Sequence, residues 1–310
     1  TAAAEWLNAI FANNMPKTVG RSCLTPLIGV RGGIAGDFTV TRLGDAEFMI
    51  IGSGMAERYH QRFWDMVPMP DGVTFDSLTD AMCGFNVAGP MSRNLLQRLT
   101  NTSLTTADFP FMRSKQIELA GVDCLALRVS FTGDLGWELH CKTEDQLRLY
   151  NALLEAGKPY GAGPVGGRAL MSLRVEKGYG SWSREYSPEY RPQEVGLAAL
   201  IKLDKDFLHK DAYLAIKDKA PREILSIVEI LDTTKADATG GEPIFDMNGN
   251  GVGRVTSGTY GYGVKKSLAL CYLKNVSPGD EVKVMVIGLP HKGIVLKEPP
   301  FDPKGALLRR

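Results

Sequence analysis

The 310 residues include only five cysteines and four histidines, and neither set is grouped. Cys23, Cys83, Cys124, Cys141 and Cys271 are odd in number and form no Cys-x-x-Cys pair. Thiols used in this way read as small core hydrophobes in a reducing compartment, the cytoplasm. His60, His140, His209 and His291 lie far apart and carry no zinc spacing, so no metal is expected. Neither sign of charge dominates, since 36 basic residues face 35 acidic ones and leave a net +1. A basic face is therefore absent, and nucleic acid is not an expected partner. No run approaches the ~18 apolar residues of a membrane helix, so no membrane association is expected. The first residues lack the charged, apolar and cleavage regions of a signal peptide. Fixed-period repeats and low-complexity linkers are also missing.

What is present suits a globular chain of roughly two domains, with hydrophobic residues at 44%. Residues 3–12 place Ala3, Trp6, Leu7, Ile10 and Phe11 on one helical face, which Asn13, Asn14 and Pro16 end. Strands are predicted over 23–30, 38–43 and 48–51, and a helix over 55–66. Residues 115–120, 123–130 and 135–141 read as a three-stranded meander turning at Gly121 and at Thr132-Gly133-Asp134. Thr143 and Gln146 suggest a capping box for a helix ending near Gly157. A glycine-rich loop at 161–167 precedes a helix over 168–177. Past residue 221 the texture becomes short strands with turn signals, such as Asn248-Gly249, and predicts a small β-barrel or sandwich. The boundary is placed there, giving domains 1–221 and 222–310.

Three stretches carry chemistry. In Arg31-Gly32-Gly33-Ile34-Ala35-Gly36-Asp37-Phe38-Thr39-Val40-Thr41 a flexible turn ends in one carboxylate as a β-branched strand begins. Asp37 reads either as a turn residue or as a functional group where loop meets strand. In Ser130-Phe131-Thr132-Gly133-Asp134-Leu135-Gly136-Trp137-Glu138-Leu139-His140, Phe131 offers a flat face and Glu138 two acceptor oxygens. Such a pair suits a planar heterocycle with an amino-amidine edge, which donates two parallel hydrogen bonds as a guanidinium does. The plainer reading is a hairpin whose Glu faces solvent. In Ser172-Leu173-Arg174-Val175-Glu176-Lys177-Gly178-Tyr179-Gly180-Ser181-Trp182, Arg174, Tyr179 and Trp182 could surround an anionic aromatic ligand. Otherwise the stretch is a charged helix end.

In this order the stretches resemble the aminomethyltransferase family, the T-protein of the glycine cleavage system. The family's Gly-Gly-x-x-x-Asp matches Gly32 to Asp37, and its aromatic-Thr-Gly-x-x-Gly-aromatic-Glu-Leu matches Phe131 to Leu139. Leu-Arg-x-Glu matches Leu173 to Glu176, Glu-Val-Gly-Leu matches Glu194 to Leu197, and Thr-Ser-Gly matches Thr256 to Gly258. The run Ser-Leu-Arg-x-Glu-Lys-Gly-Tyr, with Phe109-Pro110-Phe111-Met112, looks more like the C-terminal half of dimethylglycine and sarcosine dehydrogenases. In those enzymes a flavin domain oxidises an N-methyl amine, and the C-terminal half captures the carbon on tetrahydrofolate.

The resemblance implies an α+β, T-protein-like fold of several β-sheet subdomains with flanking helices and a C-terminal small β-barrel. It implies Asp37 as the catalytic carboxylate beside the folate N10 amine. Thr39, Ile50, Gly52, Phe131, Glu138, Arg174, Tyr179 and Trp182 would line or grip the cofactor. The implied partners are folate and a small methylated amine or its iminium, and the implied compartment in a eukaryote is the mitochondrial matrix. No strand–Gly-x-Gly-x-x-Gly–helix fingerprint occurs here, so FAD is expected only in a missing N-terminal domain or a partner. Thr1 falls already inside the family's module, which suggests a piece of a longer polypeptide. Two departures stand out. Gly36 replaces the first of two adjacent aspartates, and Leu170 and Met171 stand where T-proteins carry Arg-Asp. Alternatives are a folate-dependent O- or S-demethylase and a folate-binding docking module without catalysis. An iron–sulfur maintenance role is disfavoured because Lys177-Gly178-Tyr179 lacks that branch's cysteine.

Overall fold

Helix α1 (Ala2–Ile10) forms over the predicted amphipathic stretch, and Trp6, Leu7 and Ile10 all turn inward. Strands β1 (Ser22–Ile28), β2 (Ile34–Arg42) and β3 (Phe48–Ile51) follow as a three-stranded sheet in that order. Thr39 pairs with Ile51 and Val40 with Ile50. Helix α2 (Glu57–Trp64) buries His60, Phe63 and Trp64. The computed structural model describes residues 1–231 and 236–310.

A second sheet is built from β4 (Met82–Ala88), β5 (Ser114–Leu119), β6 (Val122–Leu127) and β7 (Gly136–Lys142), in the order β4-β7-β6-β5, with α3 (Ser92–Gln97) between β4 and β5. The predicted meander is its β5-β6-β7 part. Strand β4 escaped the sequence reading because Gly84 and Asn86 dilute its β propensity, and alternate residues of this edge strand face solvent. Helix α4 (Gln146–Gly157) covers this sheet's core, where Leu149, Leu153 and Ala156 meet Trp137, Leu139 and Cys141. The predicted capping box does not form. Thr143 instead opens a short 3₁₀ turn, and its hydroxyl donates to the Asp80 carbonyl at 3.2 Å, so the side chain ties down the chain before β4.

Helices α5 (Gly167–Glu176) and α6 (Lys210–Leu214) precede the barrel strands β8 (Ile224–Ile230), β9 (Pro243–Phe245), β10 (Gly251–Gly261), β11 (Lys266–Leu273), β12 (Glu281–Val286) and β13 (Leu289–Leu296); α7 (Ala306–Arg309) closes the chain. The six strands form a closed barrel, β10-β11-β8-β13-β12-β9. Closure leaves no unpaired edge. Val228, Ile244, Val255, Cys271, Val282, Val284 and Val295 fill it. Strand β11 is apolar at nearly every position because both faces are covered. Ala269, Cys271 and Leu273 point into the barrel, while Leu268 and Leu270 pack on Val175 of α5. Sheets with flanking helices plus a closed barrel make the fold α+β, as expected.

The chain divides into two compact units. The first comprises Thr1–Thr25, Phe38–Val165 and Gly305–Arg310, and the second Pro26–Asp37 and Gly166–Lys304. No disulfide is formed among the described residues; the Cys83 and Cys141 thiols face each other across β4 and β7 at 3.4 Å. No helix among the described residues is long and apolar enough to cross a membrane.

Candidate functional site

The first unit contains a cavity of about 740 Å³ whose walls include Trp6, Phe38, Ile50, Gly52, His60 and Trp64. Phe38 anchors its aromatic side, with ring centroids 4.7 Å from His60, 5.3 Å from Trp64 and 5.3 Å from Phe11. Gly52 is required here, since a Cβ would fall 2.5 Å from the Phe38 ring. Among the described residues, the lining carries four carboxylates, Glu47, Glu57, Asp71 and Asp76, and neither Lys nor Arg. The cavity is therefore electronegative as well as aromatic.

Gly84 and His140, from β4 and β7, form another part of the same wall. Glu138 lies two residues before His140 on β7, half-buried, with its carboxylate 3.6 Å from the His140 Nε2. It pairs across the sheet with Asn86 on one side and Leu127 on the other. The turn that delivers it is held by a 3.0 Å contact between the Ser130 and Thr132 hydroxyls, and by Gly133 at φ +81°. Phe131 is half-buried in that turn.

In the second unit the Gly-Gly pair serves close packing. Gly32 has φ +80°, and a Cβ there would sit 2.6 Å from the Ala212 carbonyl oxygen; a Cβ on Gly33 would sit 2.2 Å from that of Pro188. Asp37 ends this segment half-buried. Burial lifts its carboxyl from the usual 3.8 to about 6, against a smaller opposing pull from its own backbone amide. Tyr186 is the nearby group that sequence reasoning missed. Burial first, then the Asp37 and Glu185 charges, push its hydroxyl far above the ordinary tyrosine range. Its position past Trp182 gave no sequence signal.

Arg174 is wholly buried at the end of α5. Its guanidinium donates to the Tyr179 carbonyl at 2.8 Å, to Glu185 Oε2 at 3.0 Å and to Ser257 Oγ at 2.7 Å. Glu185 also accepts from the Ser181 amide at 3.0 Å, from Thr256 Oγ1 at 2.8 Å and from Ser257 Oγ at 2.7 Å. A register shift in β10 between Val255 and Ser257 explains the Thr-Ser-Gly run. The bulge lets two consecutive hydroxyls reach one carboxylate, and a Cβ on Gly258 would lie 2.3 Å from the Ala238 carbonyl oxygen. Tyr179 and Trp182 are half-buried on the segment this network fixes; Trp182 bridges to Tyr186.

The sequence-derived residues do not all come together: Asp37, Phe131 and Glu138 lie outside the cavity lining. Ile50 and Gly52 share the cavity wall with His140, while Thr39 lies half-buried on β2 beside them and outside the lining. Arg174 joins Glu185, a residue without any motif to announce it, to the Tyr179 carbonyl, while Trp182 bridges to Tyr186.

Comparison with known proteins names this architecture. Residues 1–205 match the family model described as the GCVT N-terminal domain, and residues 225–302 match the glycine cleavage T-protein C-terminal barrel domain. The chain belongs to the glycine cleavage T-protein, or aminomethyltransferase, family. It is 33% identical over 299 residues to the mitochondrial dimethylglycine dehydrogenase of Homo sapiens, covering 94% of this chain and 34% of that protein. It is 26% identical to an aminomethyltransferase of Thermoanaerobacter sp. (strain X514), covering 96% and 80%. Its fold matches the crystal structure of the glycine cleavage system aminomethyltransferase T from Bartonella henselae, with a TM-score of 0.84 at 21% identity over 98% of this chain and 82% of that one. The chain spans about a third of the length of the dehydrogenase it matches. It is an aminomethyltransferase-like module related to the dimethylglycine and sarcosine dehydrogenases.

Proposed function

We propose that this chain binds tetrahydrofolate and captures on it the carbon released by N-demethylation of a small methylated amine, yielding 5,10-methylenetetrahydrofolate. Oxidation of the amine is assigned to a flavin-containing domain or partner of the dehydrogenase kind. The observation that carries the reading is Asp37. Its half-buried carboxyl follows the family's Gly-Gly turn and titrates near 6, where it can both take and return a proton at neutral pH.

The residues present suit a reduced pterin. Glu138 offers a carboxylate to the ring's amino-amidine edge, and Phe131 a flat apolar face; Thr39, Ile50 and Gly52 shape the wall. The four lining carboxylates, Glu47, Glu57, Asp71 and Asp76, would disfavour the anionic glutamate tail of a folate beside them. Within the second unit, Arg174 clamps the segment of Tyr179 and Trp182 through Glu185. When bound, tetrahydrofolate supplies two amines that together accept one carbon. Asp37 would accept the proton that the folate amine gives up as the carbon is taken, and return it to the amine released from an iminium donor or to the water released from formaldehyde. General-base help of this type is worth roughly 10²–10⁴-fold.

The test is calorimetric titration with tetrahydrofolate, followed by assay of methylene transfer from formaldehyde or an N-methyl iminium donor. Micromolar binding with Asp37-dependent transfer supports the reading, and failure to bind tetrahydrofolate overturns it. Assays with methyl ethers and sulfonium donors separate it from O- or S-demethylation.

A further inference from the structure

His140 has a polar atom for which the proposed chemistry so far gives no use. Its Nε2 is shielded from solvent and has no hydrogen-bond partner among the described residues. Glu138 Oε2 stands 3.6 Å away, marginally beyond hydrogen-bond length. Both side chains leave the same face of β7, since residues two apart in a strand point the same way. A buried ring nitrogen left without a partner is costly, and a small rotation of either side chain would satisfy it.

The imidazole also has a seat. His140 pairs directly with Gly84 across β4 and β7, and a Cβ at Gly84 would meet the ring at 3.2 Å from Nδ1 and 3.4 Å from Cε1. Any side chain at position 84 would press on that ring. The ring thus lies over bare backbone, beside the cavity it helps to line, with Nε2 aimed at the carboxylate. A glutamate side chain has three rotatable bonds, and fixing it before the ligand arrives removes an ordering cost from binding.

We propose that His140, seated over Gly84, is a positioning residue that holds the Glu138 carboxylate in the orientation that receives the pterin's two donors. The inference rests on the assignment of Glu138 to the pterin edge.

The experiment is a double-mutant cycle on the full chain, read as tetrahydrofolate Kd with thermal midpoints measured in parallel. His140→Phe keeps the ring's bulk and removes both nitrogens. It is expected to weaken binding ~10-fold, the worth of about one hydrogen bond to a charged group. His140→Gln restores an N–H donor and is expected within ~3-fold of the parent. In a Glu138→Gln background, His140→Phe should add less than ~2-fold, because its effect passes through that carboxylate. Gly84→Ala, which pushes on the ring without touching the carboxylate, should weaken binding in the same direction. Should His140→Phe prove too unstable to assay, Gly84→Ala takes its place in the cycle with Glu138→Gln. Additive losses, or parent-like binding by the position-140 variants beside a weakened Glu138→Gln, overturn the proposal and leave the pterin assignment standing. Parent-like binding by Glu138→Gln removes that assignment and the proposal with it.

Discussion

Two charged clusters in this molecule are built on opposite principles. Around Arg174 and Glu185 both side chains are fully buried and saturated, with guanidinium, hydroxyl and amide donors converging on one carboxylate. Around Glu138 and His140 the groups are only partly covered, stand 3.6 Å apart, and leave a ring nitrogen unbonded. The first arrangement leaves no capacity for a ligand, and its work is to hold the α5 end, the 179–186 segment and β10 together. The second leaves acceptor capacity beside a cavity. Charge alone does not mark a site; unsatisfied hydrogen-bonding capacity next to accessible volume does.

The largest expected effect falls on the saturated cluster. Arg174→Ala should cost about 3–5 kcal/mol of stability, because it strands a buried carboxylate. Denaturant unfolding checks this, and a loss below about 1 kcal/mol would make the network ornamental. Next comes Asp37→Asn, which should preserve tetrahydrofolate affinity and lower methylene transfer ~100-fold or more. The parent's transfer rate should rise with pH through about 6, as the base ionises, and the Asn variant should lose that limb.

The same carboxyl makes a stability prediction. Its folded-state value lies above the unfolded one, so the folded chain holds the proton more tightly. Stability should therefore be higher near pH 4 and fall as pH rises through 6, levelling above. The span is at most about 3 kcal/mol and shrinks with the side chain's remaining solvent contact. Asp37→Asn should be flat across that window, and matching pH profiles for the two proteins would dismiss the burial argument.

A smaller effect is expected at the open cluster. Glu138→Ala should weaken tetrahydrofolate binding by about 2 kcal/mol while barely moving the unfolding midpoint. A destabilisation as large as that of Arg174→Ala would erase the contrast between the clusters. Smallest of all is Lys142→Ala, which breaks an exposed 3.7 Å pair with Glu144 and should leave stability and binding unchanged within error.

Much of this was legible in the chain. The period of Trp6, Leu7 and Ile10 specified α1, β-branched alternation specified β2, and the strand texture after residue 221 specified a barrel. Strands β4, β9 and β13 were hidden by Gly84, by a length of three residues, and by Pro290 and Gly293, whose pairing is granted by neighbouring strands rather than by local preference. Among the candidate site residues, motifs single out Asp37 and Glu138. Glu185, Tyr186 and His140 were not singled out, because nothing in their own neighbourhoods distinguishes them from surface residues.

Local periodicity and turn chemistry determined which segments are helix or strand, where the barrel begins, and which family motifs the chain carries, since those depend on residues close in sequence. Burial was decided only when distant segments met. Packing turned Arg174 from a helix-end charge into a sealed structural hub, raised the Asp37 carboxyl towards neutrality, and set His140 over a glycine 56 positions earlier. Desolvation and pairing depend on which atoms surround a group, and no single stretch of sequence contains those atoms.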